Sequence, residues 1–451
     1  MSTELPLHSH THSHSHSDVD VPISKRHQKI LVSSVICVLV LMAIGIVLTW
    51  PSASSVKKAG AALRQSIDFA EAQYGAKVDH NEIRACDGQY NEDKKDQLQC
   101  RYVLFDVQSK TILSSEGKPC EKNQPFREDQ TKKLRYCVEQ SFDTKNTYNP
   151  ELEVGDKVAL SYRNNEGIDS RYRYAYADQD RRVVLIMIFV VFLVAVIIFG
   201  AWRGILAVAG LLVSLAIIIA YILPALVVGE NGTVVALAGG TAVAAAALYL
   251  AHGINHSTHV AFLSSIGSVL SIALLAQLFF AIGRFTGFVS EEASYLAAAG
   301  SQVDLRGLLI AGVILASLGA LDDMTVTQVS AVSEMHNARP DYKFRQLWTS
   351  ALRIGRDHVA SVVNTLALAY VGTSLAVMVL FVVSRQQLQW IANSESVAVQ
   401  ILGALIGSVG LIVSVPLATA LAAYIVHSSG EHDDEHLGSD LGKEKGEPTK
   451  A

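Results

Sequence analysis

The sequence of 451 residues has little charge and few aromatic side chains: charged residues make up 18%, aromatic residues 7%, and the net charge is −5. It contains no glycine-rich phosphate loop, no dinucleotide-binding fingerprint and no basic cluster of the kind that nucleic acids require. A Ser/Lys dyad and a paired metal-ligand motif are also missing from its apolar segments. These absences argue against nucleic acid as a partner, and they predict a protein that is not an enzyme and requires no cofactor.

Cysteine is scarce as well, with five residues in the whole sequence. Cys37 lies in an apolar block, whereas the other four lie in the polar segment of residues 51–182: Cys86, Cys100, Cys120 and Cys137. An even number of cysteines in an extracytoplasmic segment predicts two disulfides. Of the three connectivities, the sequential one (Cys86 with Cys100, Cys120 with Cys137) is favoured. A metal site is the alternative, but no Cys-x-x-Cys spacing supports it.

Hydrophobic residues, by contrast, make up half of the sequence and come in long blocks. A helix that spans a membrane needs roughly 20 mostly apolar residues. Eight blocks meet this length: residues 30–50, 183–202, 205–228, 234–251, 260–282, 305–321, 358–383 and 397–426. The sequence therefore predicts a mainly α, polytopic membrane helix bundle of about eight transmembrane helices in the lipid bilayer.

The order of these blocks predicts the domains and the topology. The first block is too long for a signal peptide and lacks a cleavage site, so it is interpreted as an anchor at residues 30–50. Lys25, Arg26 and Lys29 precede it and predict a cytoplasmic N-terminus. Residues 51–182 then form a small extracytoplasmic α+β or β-barrel-like domain with strands at residues 102–107, 135–140 and 157–162. Residues 183–427 form a seven-helix membrane domain, and residues 1–29 and 428–451 are disordered cytoplasmic tails.

Histidine is concentrated in the N-terminal tail, where it alternates with serine or threonine: His8, His10, His12, His14 and His16. Neighbouring imidazoles in an unstructured tract can bind divalent metals, so a metal at this tract is the one cofactor that the sequence suggests. Low-complexity drift in a solvated tail is the alternative interpretation. A second group, His252, His256 and His259, has helical spacing, but its neighbours are more typical of a turn between two spans.

Polar residues inside the spans recur at helical spacing. In the sixth span one face carries small residues and then carboxylates and hydroxyls: Gly312, Ala316, Gly319, Asp323, Thr327, Ser330 and Glu334. The seventh span presents its own polar face, with one further arginine beside it: Arg353, Asp357, Ser361, Asn364 and Arg356. In the fifth span Ser264, Ser268 and Ser271 form a stripe. Matching polar faces predict a bundle whose centre is polar, with these residues and Asp322 as a polar core or ion-coupling site.

Two interpretations of this cluster remain open. Asp322 or Asp323 pairs with Arg353 or Arg356 in a static ion pair that fixes helix packing and contributes little net energy. Alternatively, a carboxylate binds protons or cations, as ionisable groups within membranes often do. Adjacent residues on a helix point about 100° apart, so both carboxylates cannot pair with one arginine. This geometry favours a functional role.

Two runs in these spans resemble the YibE/F family of bacterial membrane proteins. The first is GALDDMTV, which begins at Gly319 and is followed by Glu334; the second is IGRD from Ile354, followed by NTLALAYVGTSL from Asn364. The resemblance extends over residues 149–426. It implies a multi-pass protein of the bacterial cell membrane with an extracytoplasmic N-terminal part, and it leaves the activity open. In the resemblance Asp323 is the family position and Asp322 the departure, while Arg356, Asp357 and Asn364 carry over.

Two classes of function are consistent with the sequence. The first is a secondary transporter of an unidentified small solute or ion, coupled to protons or cations. The second is a non-transporting envelope sensor, assembly factor or scaffold, whose extracytoplasmic domain binds a ligand. A second copy of the chain or another envelope protein is the expected macromolecular partner.

Overall fold

The computed structural model describes residues 25–66, 72–85, 99–108, 135–143, 151–162, 174–298, 302–383 and 387–441. The histidine tract (His8, His10, His12, His14 and His16) lies outside the described residues, as do Cys86 and Cys120. The chain divides into two units: a helical unit of residues 1–63 and 196–451, and a unit of residues 64–195 that contains all the described strands.

Helices make up most of the described chain. They are α1 (Lys25–Leu48), α2 (Ala53–Ser66), α3 (Arg182–Ile217), α4 (Leu223–Val228), α5 (Gly232–His252), α6 (His256–Ile282), α7 (Glu291–Ala298), α8 (Leu305–Ala338), α9 (Phe344–Thr373), α10 (Leu375–Val383), α11 (Leu388–Asn393) and α12 (Glu395–Leu441). A π-helical turn, Ile218–Ile222, joins α3 to α4. Because α12 continues to Leu441, the predicted disordered tail is helical in its first part, and residues 442–451 lie outside the described residues.

Six helical segments within the described residues are long and apolar enough to cross a membrane: α1, α3 continued through α4, α5, α6, α8 and α12. The prediction of a helical membrane protein is thereby confirmed. The segment Arg182–Val228 is 47 residues long, and its helix breaks at Ala201, where φ is 45° and ψ is −132°. This break separates the predicted second and third spans. The seventh predicted span is divided between α9 and α10, so the count of eight remains a prediction.

Asparagine residues define the short connection between α5 and α6 and the start of α5. The side chain of Asn231 accepts a hydrogen bond from Val234 N at 3.1 Å, and Asn255 accepts one from Thr258 N at 2.7 Å. Such caps satisfy main-chain donors that have no partner within the helix. Gly253, with φ of 78°, ends α5 just before the second cap. The predicted turn between these spans is therefore present.

Small residues let the central helices approach closely. α8 contacts α5, α6, α9 and α12. A side chain at Gly410 of α12 would collide with Ile272 of α6, and a Cβ at Gly407 would lie 2.9 Å from Ser317 Oγ of α8. Close approach of this kind is the usual basis of helix association in lipid, where apolar burial alone gives little driving force. The three helices α6, α8 and α12 thus form the packed centre of the helical unit.

The other unit is an antiparallel sheet of five strands: β1 (Ala72–Ala85), β2 (Gln99–Gln108), β3 (Arg135–Asp143), β4 (Lys157–Tyr162) and β5 (Tyr174–Gln179). Their order in the sheet is β3-β2-β1-β4-β5, and the edge strands β3 and β5 also contact each other, so the sheet curves towards a barrel. Val78, Phe105 and Leu160 are fully buried in its core. The three predicted strands are present as β2, β3 and β4.

The strand register restricts how the cysteines can pair. Cys100 lies opposite Asp143 of β3, whereas Cys137 lies opposite Asp106 of β2. The two cysteines are therefore six positions apart along the strands, or about 20 Å at 3.3 Å per residue. A disulfide needs Cα atoms within about 7 Å, so Cys100 cannot pair with Cys137. Whether the disulfides form stays a prediction.

Two aspartates pair with the arginines between β5 and α3. Arg182 donates hydrogen bonds to Asp180 at 2.8 and 2.6 Å, and Arg181 donates one to Asp178 at 2.6 Å. The hydrogen bonds from Arg182 lower the pKa of the Asp180 carboxyl to about 2. The two arginine charges are thus balanced locally by aspartates.

Candidate functional site

The polar face predicted on the sixth span lies on α8, and it is exposed. All seven predicted residues are exposed in the structure: Gly312, Ala316, Gly319, Asp323, Thr327, Ser330 and Glu334. A Cβ atom added at Gly312 or Gly319 would meet no other atom within 4 Å. We call this exposed face the α8 outer face. The sequence predicted it at the centre of the bundle, whereas the structure places it on the side of α8 that faces away from the packed centre.

The polar residues of α9 are exposed as well. They are Arg353, Arg356, Asp357, Ser361 and Asn364. Within the described part of the chain no ion pair joins them to Asp322 or Asp323. The static ion pair is therefore absent, and the two carboxylates of α8 are left without a cationic contact at salt-bridge distance among those residues.

Asp322, one residue before the exposed Asp323, points towards α6 instead. The Oγ atom of Ser265 donates a hydrogen bond to Asp322 Oδ1 at 3.0 Å. Ser265 Oγ is also 3.0 Å from Thr325 Oγ1, and Thr325 in turn donates to the main-chain oxygen of Asp322 at 3.1 Å. Ser265 and Thr325 are fully buried. The Asp322 site, which we define as Asp322, Ser265 and Thr325, is thus a carboxylate held by hydroxyl groups between two central helices.

Helical geometry explains the difference between the two carboxylates. Residues four and three positions apart share a face, so Leu321, Thr325 and Gln328 lie on one side of α8, and all are buried. Asp322 flanks this side, whereas Asp323 is a further 100° round the helix. Consecutive acidic residues therefore occupy different environments.

Gln328 extends the polar contacts one turn further and was missed by the sequence analysis. Its Nε2 atom donates to Ala351 O of α9 at 2.8 Å and to Thr419 Oγ1 of α12 at 2.7 Å. A Cβ at Gly355 of α9 would lie 2.7 Å from Gln328 Oε1, so the glycine makes room for the amide. Spacing from Thr325 could have indicated Gln328, since both lie on the second polar face of α8.

Further hydroxyl groups are buried in the three central helices. The predicted stripe on α6 is confirmed for Ser264 and Ser268, which are fully buried, and Ser317 of α8 and Ser414 of α12 are buried too. Most of these hydroxyls donate to main-chain carbonyls of their own helix, as Ser268 does to Ser264 O at 2.9 Å. They supply oxygen atoms in an otherwise apolar bundle without leaving a donor unsatisfied. Carboxylate and hydroxyl oxygens are ligands suited to a proton or a hard cation.

The histidines at the adjoining ends of α5 and α6 form a separate group. His252 lies within electrostatic range of Arg203 and Asp323. The Oη atom of Tyr249 is 2.9 Å from His259 Nδ1, and the rings of His256 and His259 are 6.5 Å apart. In the part of the chain that the structure describes, no group of three or more histidine, cysteine, aspartate or glutamate residues is arranged to hold a metal.

The long apolar helices and the enclosed carboxylate define a helical membrane protein with a polar site inside its bundle. A family model described as YibE/F-like protein matches residues 188–428, which is more than half of the chain. The chain therefore belongs to the YibE/F-like family, as the resemblance implied. The matched segment contains the Asp322 site and all helices from α4 to α11, and it excludes the five strands. No curated protein and no solved structure matches the chain.

Proposed function

We propose that this protein is a secondary transporter that couples the movement of a small solute to a proton or another cation bound at Asp322. The observation that carries the proposal is the contact of this carboxylate with Ser265, between two helices long enough to span a membrane. Ionisable side chains inside a helical bundle are costly and are usually retained for a function. A carboxylate that is not neutralised by a cationic side chain is suited to bind a proton or a cation from solution.

The hydroxyl partners suit a group that changes its charge. Ser265 donates to the carboxylate at 3.0 Å, and a hydroxyl can also accept a hydrogen bond from a protonated carboxyl group. Thr325, which contacts the same hydroxyl, can follow the change by rotating its own proton. Binding a cation or a proton at Asp322 would thus alter the contact between α6 and α8. A change of this kind links occupancy of the site to the arrangement of the helices.

The α8 outer face supplies the approach to this site. The small residues Gly312, Ala316 and Gly319 are exposed on this face, and Asp323 is the first carboxylate that follows them along it. His252 lies within electrostatic range of that carboxylate and of Arg203. We assign Asp323, Thr327, Ser330 and Glu334 to attracting cations rather than to binding the coupling ion.

The test is proton movement into proteoliposomes that contain a trapped pH dye, with candidate ions and small solutes added outside in turn. The intact protein is expected to give a solute-dependent signal, and Asp322→Asn is expected to reduce it to the level of protein-free liposomes. Asp323→Asn, which removes the adjacent, exposed carboxylate, is the matched control. It is expected to keep a solute-dependent signal, because Asp323 is assigned to attracting cations and not to binding the coupling ion. Equal signals in Asp322→Asn and the intact protein would refute the role of Asp322.

A second function is favoured by the strand unit, which lies outside the family match. We infer that a sensor or scaffold would use this five-stranded sheet to bind its ligand. This interpretation would be favoured if the intact protein, in proteoliposomes of verified orientation, gave no proton signal with any solute of a broad panel. The whole protein would then serve as bait in crosslinking of intact cells.

The location that goes with either function is a bacterial cell membrane, with both termini in the cytoplasm and residues 51–182 outside. Lys25, Arg26 and Lys29 before the first span support it. Arg181 and Arg182 are weak exceptions, because they end a long segment whose translocation depends little on charge. In a Cys37→Ala background, Asp341→Cys is expected to react with an impermeant thiol reagent after lysis only, and Glu292→Cys in intact cells. The reverse pattern would invert the topology.

A further inference from the structure

The outer side of α9 carries a continuous stripe of exposed residues. Six exposed residues follow one another at intervals of four, three, four, three and four: Arg353, Asp357, Ala360, Asn364, Ala367 and Val371. Alternating intervals of four and three residues, which repeat every seven residues, are the pattern with which two helices pack along each other over several turns. We refer to these six residues as the α9 seam.

The opposite side of the same helix is already used. Leu347, Ala351 and Gly355 are buried, and Gly355 packs directly against Val415 of α12. These positions are about half a turn round the helix from the α9 seam. The seam therefore faces away from the chain's own bundle, towards lipid or a partner.

Exposure of the α9 seam to lipid alone would be unfavourable, because Asn364 would have no hydrogen-bond partner there. Asn364 lies eight residues beyond Arg356, or about 12 Å further along the apolar part of the helix at 1.5 Å per residue. Its exposed side chain makes no hydrogen bond to any residue that the structure describes. An amide left unpaired in hydrocarbon costs several kcal/mol, whereas asparagines on facing helices hydrogen-bond to each other across the interface.

We propose that a second copy of this chain covers the α9 seam, in a dimer whose twofold axis is parallel to the membrane normal. The two α9 helices then run in the same direction, and Asn364 meets Asn364 of the partner subunit. Ala360 and Ala367 are small enough for the backbones to approach closely. Charge complementarity supports the same arrangement, because Arg353 and Asp357 are four residues, or about 6 Å, apart along the helix, so each arginine side chain can reach diagonally to the partner's Asp357. The proposal does not depend on the transport function.

Crosslinking in the native membrane tests the geometry. In the full chain with Cys37→Ala, Asn364→Cys is expected to form a disulfide-linked dimer on mild oxidation. Thr365→Cys is the matched control, because it is exposed at the same depth but points about 100° away. We expect at least about fivefold more dimer from position 364 than from position 365, given the close approach of paired helices. Equal crosslinking at both positions, or none above the Cys37→Ala parent at either, would overturn the proposal.

A second measurement distinguishes a loss of the dimer interface from a loss of folding in the variants. Light scattering in mild detergent is expected to give the intact protein about twice the mass of the 48.6 kDa chain. Asn364→Leu should shift the mass towards one chain, whereas Thr365→Val should leave it unchanged. A monomeric intact protein that also fails to crosslink in the membrane would overturn the dimer. A dimer that is indifferent to Asn364→Leu would overturn the role of the seam.

Discussion

Ser265 on α6 donates a hydrogen bond of 3.0 Å to Asp322 on α8, and this contact joins a hydroxyl to a carboxylate between two helices that are long and apolar enough to span a membrane. The neighbouring Asp323 makes no such contact and is exposed. The adjacent carboxylates thus form an internal pair of test and control. Each of the following predictions uses a comparable contrast within the chain.

Replacing Ser265 with alanine should weaken coupled transport. The change removes the hydroxyl that contacts both Asp322 and Thr325, and it should destabilise the protein by about 1 kcal/mol. Solute-dependent proton flux in proteoliposomes measures the effect. Ser268→Ala is the control, because Ser268 is equally buried but donates only to Ser264 O. Indistinguishable flux in the two variants would argue against a part for Ser265.

Replacing Gln328 with leucine should destabilise the helical unit. Two hydrogen bonds, to Ala351 O and Thr419 Oγ1, are lost, and a net cost of about 1–2 kcal/mol is expected from measured side-chain hydrogen bonds. Thermal unfolding in detergent checks the change against Gln389→Leu, because Gln389 is exposed on α11. A Tm for Gln328→Leu at or above that of the intact protein would contradict the role assigned to this amide.

The carboxylate of Glu395, at the start of α12, should fix the chain segment after α6. It accepts hydrogen bonds from Thr286 N and Gly287 N at 2.7 Å and from Thr286 Oγ1 at 2.8 Å. Glu395→Ala removes all three, at a cost of about 2 kcal/mol for bonds to a charged acceptor. We expect faster amide hydrogen exchange at Thr286 and Gly287, and no change there in Glu334→Ala. Unchanged exchange in Glu395→Ala would show that other contacts hold this segment.

The strand register excludes one of the three disulfide connectivities, if the cysteines are oxidised. Cys137 lies opposite Asp106, near the end of β2 that is distant from Cys100, so Cys100 cannot reach it. Of the two connectivities that remain, the sequential one is favoured. Peptide mapping without reduction should find Cys86 linked to Cys100 and Cys120 linked to Cys137. Thiol titration should find Cys37 alone free; a Cys100–Cys137 peptide or five free thiols would contradict the register or the predicted disulfides.

The elements of the helical unit could largely be predicted from the sequence, because the length of an apolar block and its asparagine caps are local properties. The buried face of α8 could not. In a soluble protein the apolar side of a helix marks its buried face, but in lipid the surroundings are as apolar as the protein interior. α8 carries two polar faces, one with Asp323 and one with Thr325 and Gln328. The packing of α6, α9 and α12 against α8 determines which of the two faces is buried.

β1 illustrates a second limit. Its residues alternate poorly in polarity, and it forms a strand because β2 and β4 pair with it on both sides. Propensity within a short window cannot report partners that are distant in sequence. The same reason explains Asn364, whose importance depends on what covers α9 rather than on the helix itself.

The most direct test of the account separates solute binding from coupling. Once a solute has been identified, reconstituted Asp322→Asn protein should still exchange labelled for unlabelled solute but should fail to accumulate it against a gradient when a proton or cation gradient is applied. Exchange needs only the solute pathway, whereas accumulation needs the charge that Asp322 carries. Asp323→Asn should perform both reactions. Gradient-driven accumulation by Asp322→Asn at the rate of the intact protein would contradict the central claim.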